Sequence, residues 1–278
     1  MEIILHHPHK TDIFCALFQN IKQFTDHINL FFEKERLFVQ SMDSAHVSIL
    51  EIELPAKWFD SYKAKESEGS AEANWPSIVI GLNVSVLSKI LATREKSQTI
   101  TIVYNPEQED DKLFIHFVSE NRSIFDKHFE LPLVDIDSQV MEIPAIDYQA
   151  EMTISAANFA NIINQLKLFG DTMEIHCSEE KIVMYSNSPE SGKMFVEVNM
   201  DDLTEFAIEE GGKMEVSFSL TYLHKIAMYH KLVKDIQLKI SANYPMKIVY
   251  GLETVEEESQ TDFARMTFYL APKMNEDG

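Results

Sequence analysis

Apolar residues recur along this chain in two rhythms. In the windows 13–25 and 156–169 they fall three and four apart: Ile13, Leu17, Ile21 and Phe24 in the first, and Phe159, Ile162, Ile163, Leu166 and Phe169 in the second. That spacing lays one apolar stripe along a helix. Two more helices are expected at 84–94 and 219–234. Elsewhere apolar and polar positions alternate, as in Val47, Ile49, Ile52 and Leu54, or in Glu215-Val216-Ser217-Phe218. Alternation of this kind is the period of a strand with one buried face. The expected class is α+β, mostly antiparallel, with two helices in each half.

The pattern also repeats. The stretch from Phe14 to Asp26 matches that from Phe159 to Asp171 at an offset of 145 without a gap: Phe14 falls on Phe159, Ile21 on Leu166, Lys22 on Lys167, Phe24 on Phe169 and Asp26 on Asp171. The register continues through Arg36-Leu37-Phe38 on Lys181-Ile182-Val183, and Ser41 on Ser186. Further on, Val86-Leu87-Ser88-Lys89-Ile90 matches Tyr222-Leu223-His224-Lys225-Ile226 at an offset of 136, as Ile100-Thr101-Ile102 does Ile236-Gln237-Leu238. Two matches in the same order imply a duplicated unit. The offset falls by nine, so the first half holds extra residues, and the polar stretch 63–74 is their expected place, as an exposed loop. We expect a first domain at 1–133, an extended acidic connector broken by Pro144 at 134–148, and a second domain at 149–278.

Charge changes the picture. The formal net charge is −21, which argues against tight binding of phosphate. The acids are not spread evenly, however. The four helical windows contain no Asp or Glu, although 45 of 278 residues are acidic; a uniform spread would place roughly nine there. They do contain Lys22, Lys89, Arg94, Lys167, Lys225, Lys231 and Lys234, with His224 and His230, among Asn, Gln, Ser and Thr. Burial would exclude lysine and amides as well as carboxylates. A face of this composition suits water and phosphate together, so these residues are expected to face duplex DNA. So few cations on so acidic a body give weak, sequence-independent contact. Such a protein has to hold DNA by enclosing it.

The remaining composition excludes other classes. No run of eighteen apolar residues would span a membrane, and the first residues lack the basic and apolar regions of a signal peptide. Cys15 and Cys177 are the only cysteines, which fits an intracellular, reducing site and core packing. No phosphate loop, nucleophile elbow or Cys-x-x-Cys pair occurs, so no catalytic constellation, metal or cofactor is expected. His6, His7 and His9 flank Pro8 and read as a solvated strand-to-helix junction. The runs 107–111 and 256–258 read as solvated acidic loops.

Several motifs resemble the proliferating cell nuclear antigen family. They are Leu37-Phe38-Val39-Gln40-Ser41-Met42-Asp43-Ser44-Ala45-His46-Val47-Ser48, then Phe268-Tyr269-Leu270-Ala271-Pro272-Lys273 before the acidic Asn275-Glu276-Asp277, and Ile143-Pro144 with Tyr148. Leu87-Ser88-Lys89-Ile90-Leu91, Phe169-Gly170-Asp171 and Tyr222-Leu223 add to them, and the resemblance runs in order along the whole chain, with insertions at 63–74 and 254–262. It implies a DNA-clamp fold, a homotrimeric head-to-tail ring around duplex DNA, loading by an ATP-driven clamp loader, and tethering of DNA polymerase and other replication and repair clients. It also implies a nuclear location in a eukaryote, or a viral replication site, and the divergent helices and extra loops suit either source. Clients of the family carry a short peptide with a glutamine, an aliphatic residue and two aromatics. By position, the pocket for it is Met42, His46, Val47, Ile49, Met141, Ile143, Pro144, Tyr148, Pro245, Tyr269, Leu270, Ala271 and Pro272.

Four positions depart from the family pattern. Pro132 falls in the strand implied at the ring seam, about 125–134, which would meet about 193–200 of the next subunit; proline is tolerated there only at an edge or bulge. Glu179 stands where many eukaryotic members have a modifiable lysine, so no ubiquitin switch is expected there. Asn161 and Asn164 replace cations, with Lys10, Lys231 and Lys234 as substitutes. Two rivals stay open at this stage: a subunit of a heteromeric checkpoint-type clamp, and an enzyme on a duplicated α+β fold.

Overall fold

A computed structural model describes residues 1–64, 78–105, 112–136, 140–252 and 263–273. The expected loop at 63–74, the insertion at 254–262, the acidic runs 107–111 and 256–258 and the acidic end 275–277 lie wholly or largely outside the described residues. Within them the chain divides into two units. The first holds Met1–Ser41, Glu51–Val140 and Leu252–Arg265; the second holds Met42–Leu50, Met141–Gly251 and Met266–Gly278.

The elements of the first half are β1 (Glu2–Leu5), α1 (Pro8–Asn20), β2 (His27–Phe32), β3 (Arg36–Met42), β4 (Ser48–Pro55), β5 (Ser61–Lys63), β6 (Ile78–Asn83), α2 (Val84–Ala92), β7 (Thr99–Val103), β8 (Lys112–Val118) and β9 (Lys127–Pro132). Their strands run in the orders β5-β1-β7-β8-β9 and β4-β3-β2-β6. Alternate residues Ile100, Ile102, Leu113, Ile115 and Phe117 are buried, as the period-2 pattern requires. Helices α1 and α2 pack on each other.

The second half repeats this plan with β10 (Ala150–Ser155), α3 (Ala156–Leu166), β11 (Thr172–Ser178), β12 (Ile182–Ser188), β13 (Gly192–Val198), β14 (Glu205–Ile208), β15 (Lys213–Ser219), α4 (Leu220–Ala227), β16 (Asp235–Ser241), β17 (Tyr244–Gly251) and β18 (Arg265–Leu270). The orders are β14-β10-β16-β17-β18 and β13-β12-β11-β15, and α3 packs on α4. The duplication extends to single hydrogen bonds. Asp26 and Asp171 are repeat partners, and so are Val84 and Leu220. The Asp26 carbonyl accepts from the Val84 amide at 2.9 Å, and the Asp171 carbonyl from the Leu220 amide at 3.0 Å. In both units the same bond fixes the first turn of the second helix to the end of the first helix segment, satisfying an amide that a helix start leaves unpaired.

Local chemistry corrects several sequence expectations. The stripe in the first helical window is buried throughout, but the helix begins earlier, at Pro8, whose missing N–H costs nothing in a first turn. The amides of His6 and His7 donate to Asp60 Oδ2 at 2.6 and 3.2 Å, and His6, His7 and His9 are exposed. Burial would raise the Asp60 carboxyl, but those two amides and the nearby His6 and Lys10 hold it below its ordinary value. The fourth helix is shorter than its window: α4 stops at Ala227 and a 3-10 turn, Met228–Lys231, follows. In β4 the buried positions are Ser48, Leu50, Ile52, Leu54 and Pro55, so Val47 and Ile49 do not share the core row with Ile52 and Leu54. Both cysteines are buried, one in each unit. Burial pushes the Cys15 thiol up to about 11 and the Cys177 thiol up to about 12.

Candidate nucleic-acid and partner-binding surfaces

Each helix pair is built from few caps and much apolar burial. Asn83 caps α2 by accepting from the Val86 amide at 3.1 Å, and Ser155 caps α3 by accepting from Asn158 at 3.4 Å. Ile13, Leu17 and Phe18 of α1 and Phe159, Ile163 and Leu166 of α3 face inward. Of the residues expected on a DNA face, Lys22, Lys89, Lys231 and Lys234 are exposed, and Lys167 and Lys225 half-buried. The Lys225 ammonium lies 5.3 Å from the Tyr222 ring centre. His224 shares a 2.8 Å hydrogen bond with Asn164, between α4 and α3. Burial first, and Lys167 second, hold its imidazole below its ordinary range, so it is neutral at pH 7 and adds no charge to this face.

Arg94 is corrected. It follows α2 rather than lying in it, and its side chain is only 4% exposed. Its guanidinium donates to Asp12 Oδ1 at 2.8 Å and to the Glu95 carbonyl at 3.4 Å. Asp12 belongs to α1, so that helix is not free of acids; the window simply began one residue too late. The pair is neutral as a unit, which leaves lysines as the cations of these helices. Lys10, the other candidate substitute, donates to the Trp58 carbonyl at 2.9 Å and is half-buried.

The thirteen residues of the expected peptide pocket come from four separate stretches of sequence, and all belong to the second unit. The loop Met42–Leu50 is joined to the C-terminal segment by the Ala271 amide, which donates to the Val47 carbonyl at 2.9 Å. Met42, Val47, Ile49, Met141, Ile143, Tyr148, Tyr269, Ala271 and Pro272 are half-buried, while His46, Pro144 and Pro245 are exposed. Leu270 is the exception: it is 0% exposed, and its side chain serves the core rather than a surface.

Sequence reasoning missed the residue that shapes this loop. Asp43 is buried, and Oδ1 accepts from the Val47 amide at 2.8 Å and from the Ser48 amide at 2.5 Å, while Oδ2 accepts from the Ala45 amide at 2.8 Å and the Tyr222 hydroxyl at 2.9 Å. Burial alone would raise its carboxyl. The Ser48 and Ala45 amides, the Tyr222 hydroxyl and the Val47 amide outweigh that and hold it below the usual carboxylate value. The loop closes tightly around it, and His46 takes φ of 58°, a left-handed conformation rare outside glycine. An aspartate followed by Ser-Ala-His is an Asx-turn signal that was legible in the sequence. Its fourth partner, Tyr222, lies 179 residues away and was not.

Beside Pro272 a cavity of about 390 Å³ opens, walled by β11, β15, the β16–β17 turn and Lys273. Nothing in the sequence patterns pointed to it.

Two units with one strand order, each with a helix pair that presents lysines, define a clamp-type α+β protein. Family comparison makes this specific. The model described as proliferating cell nuclear antigen, N-terminal domain, matches residues 6–140, and that described as its C-terminal domain matches 142–273. The chain belongs to the proliferating cell nuclear antigen family of sliding clamps. No helix among the described residues is long and apolar enough to cross a membrane.

Proposed function

We propose that this protein is a replicative processivity factor: three copies close head to tail around duplex DNA, are placed there by a clamp loader, and tether DNA polymerase and other clients through short peptides bound by the second unit. The observation that carries the reading is the charge arrangement. A chain of net charge −21 keeps exposed or half-buried lysines at both helix pairs, where the one carboxylate of α1, Asp12, is neutralised by Arg94. Weak, sequence-blind phosphate contact on an acidic body favours enclosure over grip.

The sheet edges support closure. β9 ends one sheet of the first unit and β13 ends one of the second. Both leave ladder groups unpaired, and such edges invite strand addition. Phe195 of β13 is 60% exposed and Phe125, just before β9, is 84% exposed. Pro132 is the last residue of β9, where a missing donor is tolerated. Residues 134–148 serve in this reading as the connector that carries part of the client site.

The direct test is primer extension on singly primed circular DNA with clamp loader. Added protein should lengthen the products. Failure of the purified protein alone to do so, with activity restored by other clamp subunits, would move it to a heteromeric checkpoint-type clamp. Reversing Lys22, Lys89, Lys167 and Lys225 to glutamate should lower the amount loaded by about tenfold, because phosphate contact scales with the number of cations. Unchanged loading and sliding would show that these helices do not face DNA.

A further inference from the structure

In the first unit, far from any helix, two histidines meet on the face of a sheet. His116 of β8 and His128 of β9 lie directly opposite each other in its register. Ile115, Phe117 and Leu131, on the opposite face, are buried in the core, so the pair stands on the outer face. His128 is exposed and His116 half-buried. The ring centres are 4.9 Å apart with planes inclined by 62°, and the two Nδ1 atoms are 2.8 Å apart. A neutral imidazole carries one N–H and one lone pair. With the proton of one ring on Nδ1, the pair is a single hydrogen bond. With both protons on Nε2, two lone pairs converge on one point. Burial first, and His128 second, hold the His116 imidazole below its ordinary value, and the neutral ring is the form that ligates metal. Two nitrogens about 2.0–2.1 Å from one ion stand about 2.9 Å apart at a right angle and about 3.3 Å apart at the tetrahedral angle. The 2.8 Å spacing therefore matches the right-angled arrangement of Ni2+ and Cu2+ better than the tetrahedral one of zinc. Glu130, on the same face, is engaged by Lys112 at 3.1 Å, and no group of three or more His, Cys, Asp or Glu among the described residues could hold a metal. The protein thus offers two ligands and leaves the other positions of an ion to water.

We infer that His116 and His128 form a two-point chelating site for a divalent transition ion that accepts right-angled nitrogen ligands, Ni2+ or Cu2+. Each ring keeps its single proton, on Nε2, so binding at neutral pH displaces only the hydrogen bond between the rings. The ion ties β9, the outermost strand of its sheet, to β8. Side chains occupy the faces of a sheet and strand pairing its edge, so the site stays open to solvent whether or not another strand joins β9.

The test titrates the full-length protein, stripped with a chelator, with nickel chloride in a calorimeter. His6, His7 and His9 are exposed and are a second source of imidazole, so the same titration is run on a chain with all three changed to alanine. Both proteins should take up one ion per chain at the same affinity. His116→Ala and His128→Ala should each weaken binding by about 10- to 100-fold, since loss of a ligand costs no less than loss of the groups behind it. Nickel should raise the melting temperature of the unaltered protein and not that of either variant, because a ligand of the folded state stabilises it. Melts without metal check that the variants fold; His128→Ala, at an exposed position, tests the site even where His116→Ala does not fold. Cu2+ supplies a readout that a merely structural change would not move: its electron paramagnetic resonance spectrum should show two coupled nitrogens in the unaltered protein and one in either variant. Affinity that survives His128→Ala, or that vanishes with His6, His7 and His9, overturns the site. So does the lack of any saturable uptake, which would leave a hydrogen-bonded pair of histidines and nothing more.

Discussion

Asp43→Ala is expected to lower the free energy of unfolding by about 3 kcal/mol, the upper range for loss of hydrogen bonds to a buried charge. The carboxylate gathers the amides of Ala45, Val47 and Ser48 and the hydroxyls of Ser48 and Tyr222, and alanine strands all five donors. The consequence for function follows from position. Met42, His46, Val47 and Ile49 ride on this loop, so a client peptide should lose more than about tenfold in affinity, beyond the loss of fold. Asp43→Asn keeps an acceptor and should cost roughly half as much. The pH dependence has a fixed sign. The Asp43 carboxyl is held below its ordinary value in the folded state. Its contribution is therefore present above the unfolded value, near about 3.9, and is lost as pH falls through the lower folded value. Urea melts at neutral pH and in acid check this. The gap between the unaltered protein and Asp43→Ala should be wide at pH 7 and should close in acid. A gap that is absent at pH 7 would mean that the loop is held by something other than this residue.

Phe195→Asp is expected to dissociate the ring. The side chain is 60% exposed on an edge strand of the second unit, so the isolated chain gains little from it. In the proposed assembly it is covered once per seam. Its loss removes about 2 kcal/mol of apolar burial at each seam and puts a charge in its place. Light scattering on a sizing column should report a trimer for the unaltered protein and a monomer for the variant, with the thermal melt of the chain little changed. Under the proposed function, retention on circular DNA should disappear with the ring, because an enclosing ring is held by topology rather than affinity. A variant that remains trimeric would locate the seam away from β13. Pro132 matters to the same experiment from the other side: it closes β9, so pairing with a neighbour has to use the strand before it.

Much of the fold was legible because the chain says it twice. Offsets of 145 and 136 anticipated which strands and helices correspond, and the Asp26–Val84 and Asp171–Leu220 bonds show that correspondence atom by atom. What misled was end effects. The first helical window began at residue 13, whereas α1 starts at Pro8, in a first turn, and that earlier start brings in Asp12. That one residue changed the assignment of Arg94, since a cation beside an acid of another helix turns inward to meet it. Leu270 does not reach the surface for a related reason: a motif names neighbours in sequence, but alternation along β18 sends Leu270 to the core. The His116–His128 pair was illegible because its members meet only through cross-strand register, which no local pattern encodes.

The two buried cysteines have a consequence of a different kind. Each unit holds one, and burial pushes both thiols well above neutrality, so neither reacts while its surroundings stay closed. The chain therefore carries a built-in pair of chemical clocks. Capture of Cys15 by an alkylating reagent times the opening of the first half, and capture of Cys177 times that of the second. Mass spectrometry of the two labelled sites can then tell whether the halves of this duplicated molecule come apart together or one after the other.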